Sequence, residues 1–281
     1  MHRWLTGSPQ IEEITVKVAD LPASLNGIRI VQLSDLHYDG LRLSEELLIE
    51  VIQLTNEIQP DIIVLTGDFV THNPSPIHQL SQHLKHLKSD VGIYAILGNH
   101  DYHYPQSEAI VIKGLSLIGI EVLINQVVYP FGEKLALVGL ADLFSGKFES
   151  KSVMELIDNN IPRIVLSHNP DTAEFLQPWR VDLQLSGHTH GGQIVFPNVG
   201  TLPEKLQKIQ NQLPPYLKFL IPIKSDCKKM FRHWEWSAGL HQVGKNLLYV
   251  NRGLGTYFPG RWNCPPEITV IQLEKTEAIH V

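Results

Sequence analysis

Six short runs of apolar and β-branched residues recur along this chain and give way to Ser, Gly or His: "IRIVQLS" (28–34), "DIIVLTG" (61–67), "GIYAILG" (92–98), "KLALVGL" (134–140), "RIVLSH" (163–168) and "VDLQLSG" (181–187). Runs of this length and composition predict buried strands. Between the first two, "LSEELLIEVIQLTNEI" (43–58) carries Leu47, Leu48, Val51, Ile52, Leu54 and Ile58 at largely helical spacing behind Ser44, a side chain suited to an N-cap. "PIHQLSQHLKHLK" (76–88) repeats the pattern. Strand and helix in alternation restrict the chain to an α/β core, and in such cores ligands sit beyond the carboxyl ends of the strands. Farther on, "WEWSAGLHQV", "NLLYVNRG" and "EITVIQL" read as strands without intervening helices, which predicts a second, more antiparallel sheet.

The strand ends carry the chemistry. The first delivers Ser34-Asp35-Leu36-His37, the second Gly67-Asp68, the third Gly98-Asn99-His100-Asp101, a later one Ser167-His168-Asn169 and the last Gly187-His188-Thr189-His190. Taken singly, each has an ordinary explanation as a turn, a loop start or a helix cap. Five in succession, all bringing oxygen and nitrogen donors and no thiolate, point to a shared site. Glycines beside the two late histidines permit close backbone approach and φ > 0 turns.

Composition limits the alternatives. At 281 residues with 43% apolar and 19% charged side chains, the chain can bury a full core. A net charge of −6 argues against general affinity for nucleic acid, so any polyanion contact must be local. Cys227 and Cys264 stand far apart in no metal-binding spacing, which suits reduced thiols in the cytoplasm. Neither a signal peptide nor 18 uninterrupted apolar residues is visible, so a soluble or peripheral protein is expected.

In that order "DLH", "GD", "GNHD", "H" and "GHTH" resemble the signature of the calcineurin-like metallophosphoesterases, over about residues 12–273. "GHTHGGQI", "LYVNRGLG" and "CPPEITVIQL" resemble the branch of bacterial phosphodiesterases often found at membranes, which includes pyrophosphatases acting on UDP-2,3-diacylglucosamine in lipid A synthesis. The resemblance implies a four-layer α/β/β/α sandwich of two mixed sheets flanked by helices, as one domain over 1–281. It also implies two divalent metal ions: Asp35, His37 and His190 on one, Asn99, His168 and His188 on the other, and Asp68 bridging. In extended backbone, residues two apart project to the same side, so Asp35 with His37, and His188 with His190, can converge. Carboxylate, amide and imidazole donors suit Mn²⁺, Fe²⁺ or Zn²⁺. Such a pair activates water for attack on phosphorus, with His100 as general acid or transition-state cation and Asp101 as its orienting partner.

Other residues carry weaker expectations. Asp142, after the "LALVGLAD" strand, could face the cleft or merely form a turn, and Arg252 and Arg261 could grip a phosphate bidentately. His72, His78, His83 and His86 have no consistent ligand spacing and read as solvated; Trp179, Trp234 and Trp236 read as packing residues. Residues 204–232 interrupt the compact pattern with seven cations against two carboxylates, interleaved with apolar side chains. Two readings stand for this insertion: a cap packing its own apolar side, or an element contacting an anionic membrane surface. The whole predicts a hydrolase of phosphodiester or pyrophosphate bonds, on a lipid-linked substrate and peripheral at the inner face of the membrane. A nuclease or cyclic-nucleotide phosphodiesterase is the alternative enzyme, and a non-catalytic metal-binding scaffold the alternative of another class.

Overall fold

A computed structural model describes residues 3–214, 217 and 231–276. In chain order the strands are β1 (Gln10–Val18), β2 (Arg29–Leu33), β3 (Ile62–Leu65), β4 (Gly92–Ala95), β5 (Glu121–Val122), β6 (Gln126–Val128), β7 (Ala136–Gly139), β8 (Arg163–Leu166), β9 (Leu183–Ser186), β10 (Val195–Phe196), β11 (Gly200–Thr201), β12 (Gly239–Val243), β13 (Asn246–Val250) and β14 (Glu267–Lys275). The helices are α1 (Arg3–Thr6), α2 (Glu45–Ile58), α3 (Ile77–Leu84), α4 (Ser107–Ser116), α5 (Lys151–Met154), α6 (Thr172–Leu176) and α7 (Leu202–Gln212). One six-stranded sheet runs β1-β14-β2-β3-β4-β5 and the other β12-β13-β9-β8-β7-β6, while β10 and β11 form a separate ribbon.

The expected four layers follow from the alternation along each strand. In the first sheet Ile30, Ile62 and Val64 point inward, where they meet Leu137, Ile164, Leu166, Leu183 and Leu185 of the second. Their neighbours Val31, Leu33, Ile63 and Leu65 point outward against Leu48, Val51 and Ile52 of α2 and Ile77 and Leu80 of α3. On the far side Ala136, Val138 and Val165 pack under Val153 and Met154 of α5 and Leu176 of α6. A side-chain period of two thus gives each sheet two apolar faces, and only helices outside and a second sheet inside can cover both.

Helix α2 begins where Ser44 Oγ accepts the Leu47 N–H at 3.3 Å and ends at Gln59, whose φ of +53° and N–H bond to Asn56 O turn the chain into Pro60. Helix α3 stops at Leu84, short of the expected 88, because Asn56 takes the next turn: its Nδ2 donates to His86 O and its Oδ1 accepts from Lys88 N.

The C-terminal strands depart from expectation. β12 and β13 form an antiparallel hairpin, but β13 joins the second sheet parallel to β9. β14 enters the first sheet between β1 and β2, parallel to the former and antiparallel to the latter. Its Ile268 and Val270 face the helices and its Ile271 and Leu273 face the inter-sheet core, so both sides are buried, as a central strand requires. "WEW" forms a short 3-10 turn rather than a strand. Trp236 packs on a small cluster including Val243 and Val250, and Trp179 packs on the outer cluster of the second sheet.

Of the insertion, α7 and the returning Phe231 and Arg232 are described, whereas Cys227 and Lys218, Lys224, Lys228 and Lys229 lie outside the described residues. Among the described residues no helix is long and apolar enough to cross a membrane.

Candidate metal centre

Each strand of the two sheets that carries a candidate donor ends a few residues before it. β2 leads to Asp35 and His37, β3 to Asp68 and β4 to Asn99 and His100; β8 leads to His168 and β9 to His188 and His190. The backbone here is not extended. Asp35, His37, Asp68, His188 and His190 have φ of 52, 44, 56, 71 and 51°, in the left-handed region. The pairs two apart therefore converge through left-handed turns, and the period of a strand plays no part in it. Such a conformation costs a non-glycine residue ~1–3 kcal/mol and concentrates where function over-determines the backbone. Two glycines make room. A Cβ on Gly98 would stand 2.2 Å from Asp68 Oδ1, and one on Gly187 2.2 Å from Asp35 Oδ2.

The side chains meet in three overlapping groups: Asp35, His37 and His190; His37, Asp68 and His100; and Asp68, His168 and His188, with donor atoms within 4.8 Å in each group. Asp68 Oδ2 lies 3.4 Å from His37 Nε2 and 3.2 Å from His168 Nε2. Its Oδ1 accepts the His100 N–H at 2.8 Å, so Oδ2 alone faces both imidazoles. His190 Nε2 is 3.4 Å from Asp35 Oδ1 and 3.1 Å from His37 Nε2, and His188 Nδ1 is 3.3 Å from His168 Nε2.

Hydrogen bonding at the far side of each ring tells which nitrogen is bare. His168 Nδ1 faces Thr66 O at 2.7 Å, His190 Nδ1 faces Gly255 O at 3.1 Å and His100 Nδ1 faces Thr71 O at 2.6 Å. A carbonyl only accepts, so each Nδ1 carries the proton, and in the neutral ring Nε2 is then a lone pair. Those lone pairs of His168 and His190 are aimed at carboxylate oxygens and at other imidazoles. Acceptors converging on acceptors fit a cation between them. Asn99 Oδ1, buried and without a donor among the described residues, adds one more oxygen of the same kind.

The charges respond accordingly. Burial alone would raise Asp35, but the imidazoles, His190 foremost, hold its carboxyl below the usual range. Asp68 is held well below it against burial, by His168 and then His100. Burial lowers His190 to about 3 despite Asp35, while Asp68 lifts His168 well above its ordinary value against burial, so a proton and a cation compete for that ring nitrogen.

Three expected roles need correction. Asp101 does not orient His100. Its Oδ2 accepts from Asp68 N and Gly98 N, both at 2.9 Å, and its Oδ1 from Phe69 N at 3.0 Å and Val70 N at 3.2 Å, so it shapes the turn carrying Asp68. Burial, helped by the Asp68 charge, pushes this carboxyl up to about 8 against the N–H groups. Four donors on two oxygens leave no acceptor for an acidic proton, so the ionised state is the one this geometry accommodates. Arg252 is spent on Glu267 at 2.7 Å and Glu12 at 2.6 Å. The Arg261 guanidinium is spread over main-chain carbonyls of 252, 253, 255 and 264. Both guanidiniums are thus engaged within the fold.

Asp142 ends up beside the centre and outside the three groups. It is fully buried, Oδ1 accepts from Phe144 N at 2.8 Å, and among the described residues Oδ2 has no hydrogen-bond partner. Burial pushes its carboxyl up to about 6, although His168 opposes the shift. His72 and His78 are exposed, as expected, and His86 as well, whereas His83 is half-buried near Glu45. Sequence reasoning missed Tyr257, whose hydroxyl lies 3.1 Å from His37 Nδ1, and the carbonyls of Thr66 and Thr71. Carbonyls leave no mark in a sequence, and Tyr257 had only its place after "NRGLGT" to signal it.

Comparison with known proteins agrees with this geometry. The family model for calcineurin-like phosphoesterases matches residues 28–192. The chain is 33% identical to the uncharacterized metallophosphoesterase YkuE of Bacillus subtilis, over 94% of this chain and 85% of that protein. It is 33% identical to the phosphodiesterase YaeI of Escherichia coli, over 87% and 82%, and 28% identical to the UDP-2,3-diacylglucosamine pyrophosphatase LpxG of Chlamydia muridarum, over 89% and 84%. The chain belongs to the calcineurin-like phosphoesterase family.

Proposed function

We propose that this calcineurin-like phosphoesterase hydrolyses a phosphodiester or pyrophosphate bond with two divalent cations held between its sheets, and that the substrate is lipid-linked. The observation that carries the reading is the convergence of the Nε2 atoms of His37, His168 and His190 on the carboxylates of Asp35 and Asp68. Asp35, His37 and His190 would hold one ion and His168 and His188, with Asn99, the other, while Asp68, whose Oδ2 faces both His37 and His168, would serve both. When bound, such a pair supplies Lewis acidity toward phosphoryl oxygens and a water of lowered pKa. His100 serves the leaving group. Thr71 O keeps its Nδ1 protonated, so the proton it can give is the second one, at Nε2 of the imidazolium. Asp142, buried with a bare oxygen near His168, is a candidate for ordering the substrate side of the cleft.

The lipid-linked substrate rests on the relationship to the chlamydial pyrophosphatase and on the basic, apolar composition of 204–232. Phe231, where that insertion returns, is buried with its ring 6.4 Å from His188, so this described end of the insertion lies near the candidate site. A peripheral position at an anionic membrane surface fits that arrangement. The test is turnover of the metal-loaded protein on bis-p-nitrophenyl phosphate, cyclic nucleotides and a UDP-diacylglucosamine analogue, beside flotation with anionic and neutral vesicles. Preference for the acylated pyrophosphate together with salt-sensitive flotation supports the reading. Turnover confined to cyclic nucleotides replaces the substrate, and no turnover on any of them with two ions bound favours a scaffold.

A further inference from the structure

The loop after β13 is bound to one half of the metal centre. Leu254 N donates to Ser34 O at 3.0 Å, Gly255 N to Asp35 O at 2.7 Å and Thr256 N to Arg42 O at 3.0 Å, so the loop is zipped onto the backbone that carries Asp35 and His37. The fit is close. A Cβ on Gly253 would stand 2.6 Å from Asp35 Cβ, and one on Gly255 2.9 Å from His37 Cβ. From this loop Gly255 O faces His190 Nδ1 at 3.1 Å and the Tyr257 hydroxyl faces His37 Nδ1 at 3.1 Å. Both imidazoles of the Asp35, His37 and His190 group are therefore oriented by one short stretch, 253–257. None of the hydrogen bonds described for that stretch reaches Asn99 or His168; His168 is oriented from the end of β3 instead, through Thr66 O.

Arg261 holds the stretch in shape. Its Nη2 lies 2.9 Å from Arg252 O, 3.0 Å from Gly253 O and 2.7 Å from Gly255 O, its Nε donates to Thr256 Oγ1 at 3.0 Å and its Nη1 to Cys264 O at 3.2 Å. The guanidinium thus shares the Gly255 carbonyl with His190. Cys264 completes the connection by directing its thiol to His190 O at 3.4 Å. A planar fork of five N–H groups can hold several carbonyls at fixed angles, which an ammonium cannot do.

Resting on the two-cation reading above, we propose that Arg261 and Tyr257 are positioning residues for one cation only: they fix His190 and His37 as Nδ1–H tautomers with Nε2 bare, and so set the affinity of the position at Asp35 independently of its neighbour. Gly255 O accepts from His190, the Tyr257 hydroxyl meets His37 Nδ1 and in this reading takes its proton, and Arg261 holds the Gly255 carbonyl and, through Thr256 Oγ1, the residue before Tyr257. Outer hydrogen-bond partners of metal-binding imidazoles are commonly worth about 10–100-fold in metal affinity. The two positions should then fill unequally when this loop is perturbed.

The experiment is metal binding by the full chain, without substrate: equilibrium dialysis with Mn²⁺ and electron paramagnetic resonance of the loaded protein, for wild type, Tyr257→Phe, Arg261→Lys and Arg261→Met. Wild type should bind two ions and give the spectrum of a coupled pair. Each variant should keep one ion at wild-type affinity and bind the other about 10–100-fold more weakly, with the spectrum of an isolated ion at intermediate Mn²⁺. Arg261→Lys should resemble Arg261→Met, because the fork matters and the charge alone does not. Tyr257→Phe removes a single hydroxyl and keeps the inference testable if the Arg261 variants fail to fold. Two ions at unchanged affinity in Tyr257→Phe, or equal weakening of both positions in the folded variants, would overturn it. A wild type that binds no ion would remove instead the reading on which it rests.

Discussion

Replacing Asp101 by asparagine separates the two roles that this carboxyl could have. In the structure its two oxygens accept four main-chain N–H groups, two each, from Gly98, Asp68, Phe69 and Val70. Whichever way the introduced amide turns, its NH₂ faces two of those N–H groups and accepts from neither. A buried N–H without an acceptor costs about 1–3 kcal/mol, so the substitution should destabilise the fold by roughly 2–6 kcal/mol. Against a total stability of about 5–15 kcal/mol that is a large loss. Since Asp68 sits in the turn that loosens, binding of both cations should weaken with it. Urea unfolding of the metal-free variant measures the first effect and Mn²⁺ dialysis the second. If Asp101→Asn leaves both unchanged and lowers only kcat, Asp101 acts on His100 after all. Unchanged stability with unchanged kcat would mean that the carboxyl is protonated in the fold, since an amide then replaces it without loss.

Asp68→Asn removes charge from the one residue that faces both groups, and dialysis should show both cations weakened together; one ion kept at wild-type affinity would contradict the shared position. His100→Ala should retain two cations and lose about 10²–10⁴-fold in turnover, more on alkyl than on nitrophenyl leaving groups, and equal losses on both would deny it the acid role. His233, ion-paired with Glu174 and Glu235, has its pKa raised because these carboxylates outweigh its burial. Stability gained from a raised pKa is present below the unfolded value of about 6.5 and lost as pH rises through the folded one. The melting temperature of His233→Gln should accordingly fall short of wild type at about pH 5.5 and approach it at about pH 9, and an offset independent of pH would assign the effect to the stacking on Trp236.

What the sequence made legible was local. Each short apolar run ended where the structure turns toward the centre, and Asp35, His37, Asp68, Asn99, His100, His168, His188 and His190 could be picked out because an apolar strand seldom hands over to such residues. Two links were not local. β14 joins a sheet built from residues far earlier in the chain, and only its two buried faces, visible once packed, say which sheet that is. Arg252, Arg261 and Asp101 were read by residue type, as groups that commonly meet phosphate or histidine. Their partners are carboxylates and main-chain groups, and a single sequence does not show which backbone groups lie within reach. The convergence of Asp35 with His37 was expected for a strand and found in left-handed turns, so the spacing was informative while its geometric reason was different.

The candidate centre draws Asp35, His37, Asp68 and His100 from one sheet and His168, His188 and His190 from the other. With ions bound it would act as a clasp. Elsewhere the sheets are joined mainly by apolar contact, which yields gradually, with a few buried hydrogen bonds such as Gln32 Nε2 to Ser186 O at 2.9 Å and Tyr249 Oη to Glu267 Oε1 at 2.7 Å; here a bound ion would add a few short, directional links that fail together. Each cation present at about a hundred times its dissociation constant would contribute about 2.7 kcal/mol to folding, felt as resistance to parting the two sheets. Stripping the ions should thus loosen the seam between the sheets before it loosens either sheet, and amides along the edges of that seam should be the first to exchange faster with solvent.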